Sequence, residues 1–268
     1  MPPLPDAVFD VRQVSYSYDS ISALRDVTVQ IRSGERVALL GANGSGKSTL
    51  LRLLAGLAFP EQGAVSFFGE CLAASRLQQD DFFFRFRRST GIVFQNSDVQ
   101  LFNASVFDEV AFGPLQLRWP KDRIRQQVEE TLAMLGIAEL KNRAPHRLSL
   151  GEKKRVALAS VLVLDPEVLI LDEPTAGLDP ASQAQIIELL GSPANGSRTV
   201  IMATHDLDAL EEIADRCYLL ESGRIAGEGT PMEILHNVEL LERTGLIRPH
   251  RHSHGGKPAG PHPHLHRK

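Results

Sequence analysis

Apolar positions recur along this chain first at strand spacing and then at helix spacing, and the change of period divides it. Val8, Val11 and Val14, then Leu24, Val27, Val29 and Ile31, fall in short runs that predict antiparallel β structure. Val37-Ala38-Leu39-Leu40 is continuously apolar, as a strand buried on both faces is, and Leu50 to Leu54 opens a helix. Residues 63–69 read as a short strand between turns. The stretch around Phe82-Phe83-Phe84-Arg85-Phe86 reads as less regular, with the core as the expected place for its aromatics. Gly91-Ile92-Val93-Phe94 predicts a buried strand that delivers Gln95 at its end. Phe107, Val110, Ala111 and Leu115 then fall at helical spacing until Trp119-Pro120 interrupts. A second helix is expected from about Lys121 to Leu135, stopped by Gly136.

Ser149 is placed to cap a third helix that runs apolar to Leu164, so residues 97–164 form a helical insertion in an otherwise α/β chain. Two further apolar strands follow: Val168–Leu171, ending in Asp172-Glu173, and Thr199–Met202, ending at Ala203-Thr204-His205. Thr230-Pro231-Met232-Glu233 is a capping box with proline at the first helical position, and it opens a short C-terminal helix. The organisation expected is one domain over residues 1–247. It has an N-terminal antiparallel β subdomain, a mainly parallel core sheet and the helical insertion, and a tail over 248–268 follows.

The residues between the apolar strand and its helix are Gly41-Ala42-Asn43-Gly44-Ser45-Gly46-Lys47-Ser48-Thr49. Glycines in that context let the backbone turn tightly and aim successive N–H groups at a polyphosphate, with the helix N-terminus behind them. Lys47 would reach the β- and γ-phosphates, and the Ser48 hydroxyl would join a Mg²⁺ shell. In a parallel sheet the strands that end before Gly41, Gln95, Asp172 and His205 present those residues to one crevice. Asp172 suits Mg²⁺ there, Glu173 can orient and deprotonate water, and His205 serves as a γ-phosphate contact or as an orienter of Glu173. Tyr16 and Tyr18, two apart on one strand, offer either a stacking surface for a purine or ordinary sheet packing.

Composition narrows the class without changing this picture. At 268 residues, 43% apolar and 23% charged, the chain has the balance of a globular domain with ample core. The net charge of −4 argues against nucleic acid as a partner. No apolar run approaches a membrane span, and the Met-Pro-Pro-Leu-Pro start lacks the pattern of a secretory signal. Cys71 and Cys217 match no metal or redox spacing and read as reduced packing residues.

These residues resemble the ATP-binding cassette (ABC) ATPases, and in particular the energy-coupling-factor type of cobalt and nickel importers. The likeness extends from about residue 7 to 245. The glycine loop is similar to Walker A, Gln95 to the Q-loop, and Leu148-Ser149-Leu150-Gly151-Glu152 to the ABC signature. Leu169 to Pro174 is similar to Walker B, Gly177-Leu178-Asp179 to the D-loop and His205 to the H-loop. Tyr18 stands at the family's adenine-stacking position. Phe94-Gln95-Asn96, Gln100-Leu101-Phe102, residues 110–114 and Gly151-Glu152-Lys153-Lys154-Arg155 support the subtype. Two positions depart from the family pattern: Leu150 stands for the usual glycine and Glu152 for the usual glutamine.

The resemblance implies a two-lobed ABC fold working as a dimer of ATPase subunits. ATP with Mg²⁺ would lie between the Walker A of one subunit and Ser149 and Gly151 of the other. It implies that Asn43, Ser45, Thr49 and Asp179 join the nucleotide site and that Gln95 contacts Mg²⁺ while coupling the site to integral membrane transporter subunits. The protein would then sit peripherally on the cytoplasmic face of the cell membrane. The same engine serving a vitamin or other solute is the near alternative. An ABC ATPase acting on DNA or ribosomes would need a long coiled-coil insertion or a basic face, and a metal-buffering protein with a vestigial nucleotide fold would tolerate the loss of Glu173.

The end of the chain differs in composition. From Arg243 onward there are six basic residues and no acid, and His250, His252, His254, His262, His264 and His266 alternate in two H-x-H-x-H runs. Prolines disfavour helix, and imidazoles on one side of an extended segment suit Ni²⁺, Co²⁺ or similar ions. A solvated tail or the remnant of an expression tag are the alternatives. Deleting residues 248–268 is expected to leave folding and ATP hydrolysis intact while removing most Ni²⁺ or Co²⁺ binding from the isolated chain. That binding should weaken as pH falls through about 6.5, since the ligands must be neutral. Equilibrium dialysis at two pH values checks this, and equal metal uptake with and without the tail would refute it.

Overall fold

The computed structural model describes residues 7–191 and 198–247; the histidine-rich tail lies outside the described residues. Strands β1 (Ala7–Tyr18) and β2 (Ile21–Arg32) pair antiparallel, with Val11 opposite Val29 and Val14 opposite Val27. The apolar positions that predicted them are buried. Next come β3 (Arg36–Leu40), α1 (Lys47–Leu54), β4 (Gln62–Phe67) and β5 (Glu70–Cys71). Helices α2 (Ala74–Leu77) and α3 (Asp80–Ser89) lead to β6 (Thr90–Val93). The helical segment holds α4 (Val106–Gln116), α5 (Lys121–Met134) and α6 (Leu150–Leu162). The chain continues through β7 (Val168–Asp172), α7 (Pro180–Gly191), β8 (Thr199–Thr204), α8 (Leu210–Ile213), β9 (Arg216–Glu221) and β10 (Arg224–Gly229). Helices α9 (Pro231–His236) and α10 (Val238–Arg243) end the described part.

Among the described residues the strands form two sheets. One is antiparallel, in the order β2-β1-β4-β5, and the other runs β10-β9-β3-β8-β7-β6. Every neighbouring pair of the second sheet is parallel except β10 with β9. Both of its faces are covered, which is why its strands read as unbroken apolar runs. Alternation assigns the sides. Val37 and Leu39 of β3, with Val168 and Ile170 of β7, join α1 and the antiparallel sheet in one core. Ala38 and Leu40, with Leu169 and Leu171, join α4, α5 and α6 in the other.

The segment expected to be irregular is α3, a ten-residue helix. Asp80 and Asp81 lie in its first turn and Arg87 and Arg88 in its last, the charge order that the helix dipole favours. Phe82 and Phe86, four apart, bury one face, with Phe86 edge-on to Phe67 at 4.9 Å between ring centroids. Phe84 is exposed. A run of consecutive aromatics hides the 3.6 period, since only the packing partner tells which phenylalanines face inward. In α4, Leu115 likewise points outward while Pro114 fills the inward place. The α5 boundary, the Ser149 cap and the Thr230 capping box fall where the sequence predicts them, and Glu152 turns the Ser149 cap into a capping box as well. The hairpin β9–β10 was not foreseen.

Phe86→Ala is expected to lower unfolding free energy by about 3–5 kcal/mol through the cavity it leaves. Phe84→Ala should change it by no more than about 0.5 kcal/mol. Urea denaturation followed by circular dichroism distinguishes the two, and equal losses would contradict this packing.

Candidate nucleotide-binding site

The loop after β3 needs glycine for steric reasons that the structure makes explicit. Gly41 has φ of 147°, and a Cβ there would lie 2.4 Å from the Leu220 carbonyl oxygen; at Gly46, φ is 110° and a Cβ would meet the Ala23 carbonyl at 2.8 Å. The backbone is therefore held close to its neighbours in a conformation that L side chains rarely adopt. It delivers Lys47 as the first residue of α1, with only 5% of its surface exposed. The Lys47 ammonium donates to the carbonyls of Gly41 at 2.7 Å and Ala42 at 3.3 Å, and lies 3.8 Å from Glu173 Oε1. Burial lowers its pKa, while the charges of Glu173 and Asp172 work in the opposite direction. The buried Ser45 hydroxyl finds no hydrogen-bond partner among the described residues. A polyphosphate fits this cradle, because it brings acceptors to the unpaired hydroxyl and to the lysine.

The carboxylates face this loop because of strand order. In β3-β8-β7-β6 the strand carrying His205 lies between the phosphate loop and Asp172-Glu173. Ser48 Oγ donates to Asp172 Oδ1 at 3.0 Å. Burial raises the Asp172 pKa and the Ser48 hydrogen bond opposes that rise. A hydroxyl and a carboxylate converging beside a phosphate loop are the oxygen donors that Mg²⁺ takes from proteins, with water and phosphate completing its shell. Glu173 is 4% exposed, and its Oε1 lies 2.9 Å from His205 Nδ1. That contact follows from sheet register: Asp172 pairs with Ala203, two residues before His205, and the Glu173 N–H donates to the Ala203 carbonyl.

The remaining motif residues each have their own surroundings. Tyr18 is partly exposed at the end of β1, its hydroxyl accepts a hydrogen bond from Arg52 Nη1 at 3.0 Å, and its ring stands edge-on to Tyr16, which packs against the core. Gln95 is exposed just past β6. Behind it Gln100 braces the loop, accepting from the Phe94 N–H at 3.2 Å, and Lys153 of α6 pairs with Asp98 at 2.7 Å. Ser149 accepts from the Glu152 N–H, and Glu152 Oε2 accepts from the Ser149 N–H at 2.7 Å. The departure at Glu152 thus closes a capping box, and the Ser149 N–H holds its carboxyl below the usual range. Leu150 is exposed and lies beside Gly177, where an added Cβ would meet its Cδ2 at 3.2 Å. Asp179 caps α7, accepting from the Ala181 and Ser182 N–H groups at 3.1 Å and from the Ser182 hydroxyl at 2.7 Å.

Among the buried charges that sequence reasoning missed, two lie on the helical segment. Lys154 of α6 donates to the carbonyls of Glu173 at 2.9 Å and Pro174 at 3.2 Å. Glu109 of α4 accepts from the backbone N–H groups of Phe102 and Asn103 at 2.9 and 2.7 Å, fixing the loop after Gln100. Their helical positions, in line with buried apolar neighbours such as Val106, Val110 and Leu158, were the available signal.

A lysine-bearing glycine loop opposed by a strand-end carboxylate pair performs nucleoside-triphosphate chemistry, which places the protein among the P-loop nucleotide hydrolases. Comparison with known proteins narrows the class. The family described as "ABC transporter" matches residues 24–176. The nickel import ATP-binding protein NikO of Rhodobacter capsulatus is 52% identical over 242 residues, covering 89% of this chain and 95% of that protein. The structure of CbiO1 from Clostridium perfringens, described as part of the ABC transporter complex CbiONQ, superposes with a TM-score of 0.77. Its identity is 40%, covering 91% of this chain and 96% of the other. A dimeric ATP-binding cassette with ADP and Pi superposes with a TM-score of 0.74 at 28% identity, covering 83% of this chain and 98% of that one. The chain belongs to the ABC transporter family and is an ATP-binding, ATP-hydrolysing subunit.

Lys47→Ala removes the mobile cation of the loop and is expected to weaken ATP binding by about 10-fold or more, the usual worth of a charged hydrogen bond. Isothermal titration calorimetry measures this directly. Unchanged affinity would mean that the loop does not grip the phosphates through Lys47.

Proposed function

We propose that the chain is the ATPase subunit energising a membrane importer of transition-metal ions, nickel or cobalt, of the energy-coupling-factor type. The observation that carries this reading is the 52% identity, over 95% of its length, to a protein named for nickel import. The CbiONQ assembly named for the CbiO1 structure agrees with an ATPase that works alongside other subunits. No helix among the described residues is long and apolar enough to cross a membrane, so partner chains would carry the ion through the bilayer. A groove of about 1720 Å³ runs between α3 and the helical segment, lined by Phe83, Phe84, Arg88, Leu115, Trp119 and Met134 among others. Its exposed apolar and cationic side chains suit an amphipathic helix of such a partner.

In this reading two ATPase subunits sandwich ATP, and this chain supplies Ser149 and Gly151 at the start of α6 to the nucleotide held by its partner. The exposed N-terminus of that helix offers backbone N–H groups and a partial positive charge to phosphate. Lys47 neutralises phosphate charge, Tyr18 stacks on adenine, and Ser48, Asp172 and Gln95 hold Mg²⁺. Bound Mg²⁺ supplies charge neutralisation on the phosphates. Glu173 accepts the proton of the attacking water, and His205 keeps its carboxylate oriented through the 2.9 Å contact. The protein is then peripheral on the cytoplasmic face of the membrane.

The test is reconstitution. Affinity purification of the tagged chain from its native membranes should bring down integral membrane subunits identifiable by mass spectrometry. Proteoliposomes containing that complex should take up radioactive nickel or cobalt only with ATP. ATP-driven uptake of a vitamin and no metal would transfer the same engine to the alternative substrate class, and the absence of any membrane partner would overturn the importer reading.

A further inference from the structure

We propose that Lys154 is a positioning residue, holding Glu173 in the backbone conformation that presents its carboxylate to the reaction. This rests on the reading of Glu173 as the base. Glu173 has φ of 48°, the left-handed region that a residue with a side chain avoids at a penalty of about 1–3 kcal/mol. Such a conformation persists only where the surroundings hold it from several sides. Here the Glu173 N–H is tied to the Ala203 carbonyl of β8 at 2.9 Å, and its carbonyl accepts from the Ala176 N–H at 3.2 Å. The same carbonyl accepts from Lys154 Nζ at 2.9 Å, and Lys154 also takes the next carbonyl, that of Pro174, at 3.2 Å. One ammonium therefore ties two consecutive carbonyls of the turn that leaves β7.

The burial of Lys154 makes this more than a surface contact. The residue is 5% exposed, and a charged amine so placed is retained only when its partners repay the lost hydration. Two carbonyls supply the hydrogen bonds, and the negative charges of Glu173 and Asp172 favour the cation against the burial that lowers its pKa. Replacing it with an apolar side chain of similar length would leave two buried carbonyls without this donor. The backbone of Glu173 would be free to relax from the left-handed region and carry the carboxylate away from His205. A misplacement of about 1 Å in a reacting group costs on the order of 10²-fold in rate. Phosphate binding, which falls to the Lys47 loop, would be spared. The neighbouring Lys153 reaches the opposite way, to Asp98 beside the Gln95 loop, so adjacent side chains of α6 tie that loop and the catalytic turn to one helix.

The experiment compares Lys154→Met, Lys154→Gln and Glu173→Gln in the full-length chain, with thermal unfolding to confirm folding. Steady-state ATPase assays give kcat and KM, and titration with a fluorescent ATP analogue gives affinity. Lys154→Met should lower kcat by roughly 10- to 100-fold with KM and nucleotide affinity within about 3-fold of wild type. Lys154→Gln, which keeps one donor, should fall between. In the Glu173→Gln background Lys154→Met should lower the residual rate no further, because both act through one group. A near-normal kcat in Lys154→Met beside an inactive Glu173→Gln would overturn the role of Lys154, as would a parallel loss of nucleotide affinity. An active Glu173→Gln would instead overturn the reading of Glu173. Should Lys154→Met fail to fold, the division between kcat and KM in Lys154→Gln decides.

Discussion

A buried ammonium is unfavourable by several kcal/mol unless hydrogen bonds and opposite charge replace its water, and Lys47 sets that condition for the whole nucleotide site. Its partners are the carbonyls of Gly41 and Ala42 on its own loop and the carboxylate of Glu173 across the sheet edge. The loop can present those carbonyls only because Gly41 and Gly46 let it run against the backbone at Leu220 and Ala23. The carboxylate stands opposite only because β8 alone separates β3 from β7. Glycine content, strand order and the placement of two carboxylates thus answer to one charge.

The same logic applies to α6. Its N-terminus is closed by the Ser149–Glu152 capping box, and one turn further on Lys153 and Lys154 diverge, one to Asp98 and one to the carbonyls after β7. Leu150 meets Gly177, and Arg155 donates to Gln185 of α7. A rigid helix with contacts to the Gln95 loop, the Glu173 turn and the segment that opens α7 cannot shift without moving all three.

The two departures in the signature have different explanations. Glutamate at the third helical position completes a reciprocal cap that also places its charge at the favourable end of the helix dipole. The leucine at 150 lies beside Gly177, where a Cβ would come within 3.2 Å of its Cδ2, so the glycine leaves it room. Both substitutions are therefore accommodated within the chain.

What could be read from sequence was local. The glycine loop, the apolar strands ending at Asp172 and Ala203-Thr204-His205, the cap at Ser149, the capping box at Thr230 and the α5 boundaries depend on neighbours a few residues away. A backbone turn, a two-residue alternation or an N-cap is written in adjacent side chains. The distances within the site came instead from tertiary structure. The approach of His205 to Glu173 needs the parallel register of β7 and β8, and the contact of Lys154 with the Glu173 turn needs α6 to pack behind that strand end. Which phenylalanines of α3 turn inward was decided by Phe67 on a strand of the other sheet. Tyr16 packed inward while Tyr18 stayed partly exposed, tied to Arg52, a separation that two-residue spacing alone could not make. In each case the deciding group lies far away in the chain, so no local pattern could have carried it.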